Sequence, residues 1–439
     1  MSDVHTDALD GVGNTELRSG DGLWASGLVC CCRCCINSRL HGRYGRDADA
    51  TLSREVPPMR FRLATTAWRF KHLLLFGSSI CLLLLNPVSA LAANNTYVAP
   101  FNPGSFTAAI PSDTDSTRIH TILNNTDKYA LTTWWNTKYA GQTGAYLSFG
   151  GQSEEDIRGG ASEGFALAAA LSTGAYDPTT TGVSQATATA RTARLIGSLA
   201  KAHAANTSGG WGNSWQSAYW AALAGTGGWQ VWGTLSATDQ GYVRKMVESE
   251  ANRFIGWQVP YWKDRSGAFA SDCGDSKVEE SAWNAQLVLL APVMMPQHSH
   301  RSAWAYKGAE LVIGSFSHPS NIKSSVNVLG RPLQDWLEGT NINDDGTLVN
   351  HNFYHPDYVS TFSQTLTTGL VQSLAHQPTS QSVVQNTDLA YSSLINKSFS
   401  PAPVLPCPTS PAYVAPSAGN PRGTNLHPEF FFSLLPRGQ

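Results

Sequence analysis

The sequence has little charge. Asp, Glu, Lys and Arg make up 14 % of its 439 residues, and the formal net charge is −2. A protein that binds nucleic acid or an anionic membrane surface needs a clear excess of Lys and Arg. The composition therefore predicts no nucleic-acid partner, while 42 % hydrophobic residues are enough for a packed globular core.

Motifs of several large enzyme classes are missing. The sequence contains no G-x-x-x-x-G-K-[ST] phosphate loop, no dinucleotide-binding G-x-G-x-x-G and no H-E-x-x-H zinc motif. Each of these motifs places backbone N–H groups or metal ligands where the chemistry needs them. Kinase, dehydrogenase and zinc-protease functions are therefore not predicted.

The N-terminal region has an apolar run that is short for a membrane span. Four basic residues after Met59 precede the apolar residues 73–85, and a small-residue site ends at Ala92. This order is typical of a secretory signal peptide over residues 59–92, whereas a bilayer span needs about 20 apolar residues. We expect a secreted protein, with a single-pass signal anchor as the alternative and contact with the membrane only through that anchor. Residues 1–58 are predicted to be a disordered or non-native extension.

Cysteine is scarce after this signal. Five of the eight Cys lie within residues 30–35, and only Cys273 and Cys407 follow residue 92. These two can form one disulfide in an oxidising compartment, although the sequence does not show that they meet. The fold therefore does not depend on a cysteine framework.

Strand signals are scarce as well, and apolar residues recur at helical spacing over most of residues 119–397. Segments that are apolar all round, such as 215–223 and 277–294, alternate with amphipathic ones, such as 236–254 and 302–316. This alternation predicts helical hairpins with one inner and one outer member. The expected fold class is all-α, an α/α toroid of the six-hairpin type, either complete or incomplete. Residues 93–118 are predicted to be an irregular lead-in, and residues 398–439 a Pro-rich, disordered tail.

Tryptophan is abundant, and many Trp residues lie beside Gly. A Trp ring offers a flat apolar face to a sugar, and a Gly-rich loop can bring it to the edge of a cleft. Trp at helical spacing, such as Trp215 and Trp283, is expected in the core. The predicted substrate-binding rings are those of the loop residues Trp211, Trp229, Trp257 and Trp262.

Carboxylates cluster before two of the predicted helices. A glycosidase needs two carboxyl groups on either side of the scissile bond. Glu280 lies just ahead of the apolar segment 277–294 and is the candidate catalytic carboxyl. The alternative is that these acidic residues only complement a helix dipole.

Residues 341–346 resemble the first half of a calcium loop. Asn341, Asn343 and Asp345 alternate before Gly346, but Asn352 stands at the twelfth position, where a bidentate Glu is needed. With one charged ligand, an Asx-rich turn is the favoured interpretation. The sequence therefore predicts no metal or cofactor, with calcium as the weaker alternative.

Residues 349–358 read VNHNFYHPDY and place Asn350, His351, His355 and Tyr358 just before a helix. An Asn-His pair with a nearby Tyr resembles the catalytic set of toroid polysaccharide lyases of the heparinase and alginate-lyase type. The resemblance implies that Asn350 neutralises a uronate carboxylate, that His351 is the base and that Tyr358, or Tyr354, donates the proton. His355 is a candidate for binding substrate. The alternative is that His355 only precedes and caps the next helix.

The expected function is therefore degradation of a polysaccharide by β-elimination at a uronate. A glycoside hydrolase that uses Glu280 on the same fold is the first alternative. A non-catalytic extracellular carbohydrate-binding protein is the second.

Overall fold

The structure, a computed structural model, describes residues 97–101, 103, 112–270, 272–396 and 413–414. The predicted extension 1–58, the predicted signal 59–92, Cys407 and nearly all of the predicted tail lie outside these residues. The described residues belong to one compact unit, Leu85–Gln439. None of their helices is both long enough and apolar enough to cross a membrane.

The described chain is mostly helical, which confirms the all-α class. The α-helices are α1 (Thr114–Tyr129), α2 (Trp135–Tyr139), α3 (Glu154–Thr173), α4 (Pro178–Thr181), α5 (Gln185–Ala202), α6 (Ser217–Gln230), α7 (Ala237–Arg253), α8 (Val278–Met294), α9 (Arg301–Ser315), α10 (Pro356–Val359), α11 (Phe362–Leu374) and α12 (Thr387–Asn396). A π-helical turn, Ala130–Trp134, joins α1 to α2.

Consecutive long helices pair as antiparallel hairpins. Gly160 lies against Leu199 and Gly164 against Ile196, so α3 and α5 run in opposite directions. The helices α6 and α7 are related in the same way. In α8 and α9 the first residue of one helix meets the last residue of the other, since the Ser315 hydroxyl donates to the Val278 carbonyl at 2.8 Å.

The first members of these hairpins also contact one another. Tyr219 of α6 stacks on Trp283 of α8, and Gly225 lies against Leu290 further along both helices, so α6 and α8 are parallel. Helix α3 contacts α6 on one side of this row, and α11 contacts α8 on the other. Both α6 and α8 are buried along nearly their whole length, because they are surrounded by helices on all sides.

The described strands are two residues long, as the scarcity of strand signals predicted. They are β1 (Lys263–Asp264), β2 (Asn327–Val328), β3 (Arg331–Pro332), β4 (Gly339–Thr340), β5 (Val349–Asn350), β6 (Phe353–Tyr354) and β7 (Tyr413–Val414). Strands β1 and β4 pair antiparallel, as do β2 and β3. Strand β6 pairs antiparallel with β5 and parallel with β7.

Candidate functional site

Two distant loops meet at the N-terminal end of α8. The Ser276 N–H donates to the Val349 carbonyl at 2.8 Å, and the Asn352 N–H donates to the Gly274 carbonyl at 2.9 Å. These bonds hold strand β5 and the turn after it against the segment that leads into α8. The predicted residues Asn350, His351 and Glu280 are thereby brought into one region.

Asn350 is buried, and its side chain is engaged within the protein. The amide nitrogen lies 2.9 Å from a carboxylate oxygen of Asp275, 3.2 Å from one of Glu279 and 3.2 Å from the Ser276 carbonyl. Two N–H groups therefore already have three acceptors. The expectation that Asn350 neutralises a substrate carboxylate is not supported, because this amide has no donor to spare and sits beside two protein carboxyl groups.

A lysine connects two of the carboxyl groups at this end of α8. The Lys277 ammonium lies 2.6 Å from Asp275 Oδ2 and 3.4 Å from Glu280 Oε1. The side chains of Asp275 and Glu280 are partly exposed, so both are open to solvent. Two oxygens that share one nitrogen at these distances are at most about 6 Å apart, which overlaps the range of about 5 to 9.5 Å between the catalytic carboxyls of glycosidases.

The environment shifts the pKa values of these groups. Burial raises the pKa of Glu280, and the Lys277 charge offsets this only in part. Burial also raises the pKa of Glu279 well above its usual range. Partial burial lowers the pKa of Lys277. The contacts of its ammonium with Asp275 and Glu280 outweigh burial and raise the pKa above its usual value. A raised pKa shifts a carboxyl group towards the protonated form that a general acid needs.

His351, His355 and Tyr358 form an aromatic cluster next to these carboxyl groups. His351 Nε2 and the Tyr358 hydroxyl are 2.8 Å apart, and the His355 and Tyr358 ring centroids are 4.5 Å apart. His351 is exposed, whereas His355 is buried. His351 and Asn352 both have left-handed backbone conformations, with φ of 50° and 68°, which is uncommon for residues other than Gly. The structure thus brings His351 and Tyr358 into contact, as the resemblance implied, and burial leaves His355 without the open position of a substrate-binding group.

Three of the four Trp residues expected at a cleft are buried. Trp211, Trp229 and Trp262 are 2 %, 0 % and 2 % exposed. Each indole N–H donates to a backbone carbonyl, those of Leu199, Ala99 and Cys273 respectively. The expectation of a cleft position was wrong for these three rings, because they pack in the core. Trp229 does not lie on a loop at all, since it belongs to α6. Trp257 is partly buried against Phe254.

Trp215, which was expected in the core, is exposed instead. It is 57 % exposed and contacts Trp283 edge-on, with 5.1 Å between ring centroids. The helical spacing of Trp215 was misleading, since α6 begins only at Ser217. The Gly-Asn-Ser stretch before Trp215 was the signal that it lies on a loop.

The candidate calcium ligands have other partners. The side-chain oxygen of Asn341 accepts hydrogen bonds from two backbone N–H groups. The side-chain oxygen of Asn343 lies 3.2 Å from the Lys263 ammonium. Asp345 accepts the N–H and hydroxyl of Thr347 in an Asx turn. The favoured turn interpretation accounts for this segment. Elsewhere in the described ranges, no group of three or more His, Cys, Asp or Glu is arranged to hold a metal ion.

Residues 160–164 match the G-x-S-x-G motif of serine hydrolases. They lie inside α3, whereas the nucleophilic serine of that motif needs a sharp strand-to-helix turn.

A polar cavity of about 260 Å³ lies beside α2 and α3, lined by Trp134, Tyr139, Phe149 and the first turn of α3. Its lining includes Glu155 and Asp156, which belong to one of the acidic clusters before a predicted helix, and none of the predicted catalytic or substrate-binding residues. Cys273 forms a disulfide whose partner lies outside the described residues.

No known family, curated protein or solved structure matches this chain.

Proposed function

We propose that the chain is a secreted glycoside hydrolase that cleaves a polysaccharide, with Asp275 and Glu280 as its two catalytic carboxyl groups. The observation that carries the proposal is the contact of one ammonium, that of Lys277, with both carboxyl groups. It holds one oxygen of each of two partly exposed carboxyl groups within about 6 Å of the other, and a pair of nearby carboxyl groups is what glycosidic cleavage uses.

The two carboxyl groups have different environments, which suits different roles. The raised pKa of Glu280 favours its protonated form, so Glu280 is the general acid that protonates the leaving oxygen. Asp275 accepts hydrogen bonds from the Lys277 ammonium and the Asn350 amide, which stabilise its negative charge. Asp275 is therefore the nucleophile or base.

The helix packing supports an α/α toroid, incomplete relative to six hairpins, as the architecture. The helices α3, α6, α8 and α11 follow one another as an inner row, and α5, α7 and α9 cover it as an outer row. Substrate sites of enzymes commonly lie at the end of such a rigid scaffold, on the loops that connect its helices. Asp275 and Glu280 lie at the N-terminal end of an inner helix.

β-Elimination at a uronate is the second candidate, and the contact between His351 and Tyr358 favours it. A base and a proton donor 2.8 Å apart are what that reaction needs. The surroundings disfavour it, because Asp275 is the charged carboxylate of this region and the Asn350 N–H groups are already bonded within the protein, so they do not offset the charge of a uronate.

The test is a paired assay of the purified full-length chain on neutral and uronate polysaccharides. New reducing ends without ultraviolet absorbance of unsaturated ends are expected, and Glu280→Gln and Asp275→Asn should each reduce the rate about 10²-fold or more. Glu155→Gln is the matched control, since Glu155 lies in the first turn of the neighbouring helix α3. Absorbance rising with the reducing ends, and lost in His351→Ala, would establish elimination instead. Folded protein that produces neither signal would make it a non-catalytic carbohydrate-binding protein.

A further inference from the structure

An aromatic surface lies beside the proposed catalytic carboxyl groups. The exposed ring of Trp215 contacts Trp283, and Trp283 stacks on Tyr219 with 6.3 Å between centroids and an angle of 23°. Glu279 precedes Trp283 by four residues on α8, so the two share one face of the helix about one turn apart. The aromatic surface and the carboxyl groups therefore belong to the same end of the row of inner helices.

We propose that the exposed ring of Trp215, packed against Trp283, forms a binding subsite for one uncharged pyranose unit of the substrate. The inference rests on the proposed function for the presence of a polysaccharide. A pyranose has an apolar CH face that suits an exposed Trp ring. A charged sugar is disfavoured, because the Trp215 ring offers no cationic partner to a carboxylate.

Hydrogen bonds to the buried Glu250 of α7 fix the backbone of the loop that carries Trp215. The buried Glu250 carboxylate accepts the backbone N–H of Asn213 at 2.9 Å and the hydroxyl of Ser217 at 2.8 Å. These contacts bracket Trp215 on both sides. The exposed ring is therefore fixed in place before ligand arrives, which reduces the entropy lost on binding.

The test measures binding in a Glu280→Gln background, so that turnover does not remove the ligand. The probes are hexasaccharides of β-1,4-glucan, β-1,3-glucan, mannan and xylan, with oligogalacturonate as the charged probe, and the readout is isothermal titration calorimetry. We expect at least one neutral probe to bind more tightly than oligogalacturonate, and Trp215→Ala to weaken it about tenfold or more. Trp283→Ala, which removes the ring against which Trp215 packs, should weaken the same probe severalfold. Tyr129→Ala, which removes another exposed ring on α1, should leave binding unchanged.

Binding and hydrolysis can fail separately. Equal affinity in the parent and Trp215→Ala, tighter binding of the charged probe, or no binding of any neutral probe would overturn the subsite. Tight, Trp215-dependent binding by a protein that never hydrolyses the probe would support the subsite and overturn the proposed function.

Discussion

At the scale of single residues, Glu250 of α7 is the best-connected buried charge in the described chain. His203, Arg253, the Asn213 N–H and the Ser217 hydroxyl all contact its carboxylate. Burial opposes its ionisation, but these partners outweigh burial and lower its pKa to about 2. Glu250→Gln removes the charge and leaves Arg253 without its partner.

We expect Glu250→Gln to lower the free energy of unfolding by about 3–5 kcal/mol, the usual cost of breaking a buried ion pair. Urea unfolding at pH 7 measures it. Glu248→Gln is the control on the same helix, because its pair with Arg244 is more exposed and should cost about 1 kcal/mol or less. Equal effects of the two substitutions would contradict the importance of the Glu250 contacts.

Asp127 is a buried carboxyl group whose pKa is shifted in the opposite direction from that of Glu250. Neither of its carboxylate oxygens has a hydrogen-bond partner within the described ranges. Burial, and next the charge of Glu163, raises its pKa to about 7. In the unfolded chain its pKa is near 4, so between pH 4 and pH 7 the folded state holds a proton that the unfolded state has lost. The contribution of Asp127 to stability is therefore greatest below pH 4 and is lost as pH rises to 7.

Asp127→Asn should remove most of this pH dependence. Over pH 4 to 7 the unfolding free energy of the parent is expected to fall by about 2–4 kcal/mol relative to that of the variant. The variant should then be the more stable protein at pH 8. Asp115→Asn, on the exposed side of α1, is the control and should not alter the slope. Parallel pH profiles for the parent and Asp127→Asn would show that Asp127 ionises normally.

Single-residue positions were predictable from the sequence only where the local chain decides them. Glu280 lies at the start of a buried helix, as the apolar run after it predicted, and its catalytic role stays a prediction. The exposed Trp was misplaced, because Trp211 and Trp215 lie on the same loop and only tertiary packing decides which ring is covered. The partners of Asn350 could not be foreseen, since Asp275 and Glu279 are more than 70 residues away in sequence.

At the scale of elements, helix starts with a capping residue were the easiest to predict. Ser236 was expected to begin α7, and its hydroxyl accepts the Asp239 N–H at 3.1 Å. Helix α3 begins at Glu154 with two polar, glycine-rich turns, so apolar periodicity does not mark its start. The chain after Pro356 forms two helices, α10 and α11, with a break between them that helical periodicity alone does not show.

The cap of α7 gives a prediction at this scale. Ser236→Ala leaves the first-turn N–H of Asp239 without its acceptor and should cost about 1 kcal/mol of unfolding free energy. Ser236→Thr keeps the hydroxyl and should cost less. Thermal unfolding of the three proteins measures the order, and a Thr variant as unstable as the Ala variant would argue against the capping role.

At the scale of the whole molecule, the order of buried and amphipathic helices was informative, because a helix that is apolar all round needs neighbours on every side. It predicted antiparallel hairpins, which the described helices form. It did not predict how the loops at the helix ends meet. Loop positions depend on contacts between distant parts of the chain, such as that of Ser276 with Val349.

The hairpins share one core, and this decides how the described unit should unfold. A single cluster of buried apolar side chains includes members of nearly every long helix, among them Trp135 of α2, Leu195 of α5, Met246 of α7, Leu290 of α8 and Val371 of α11.

Each inner helix packs against the other helix of its own hairpin and against helices of the adjacent hairpins. The loss of one hairpin therefore exposes apolar side chains of the next. We expect one cooperative transition in urea, with the same midpoint by Trp fluorescence and far-ultraviolet circular dichroism. Glu250→Gln should move both midpoints together, although Glu250 contacts only the α5 to α7 region. Two separated transitions, or a variant that shifts only one probe, would mean that the hairpins unfold independently despite their common core.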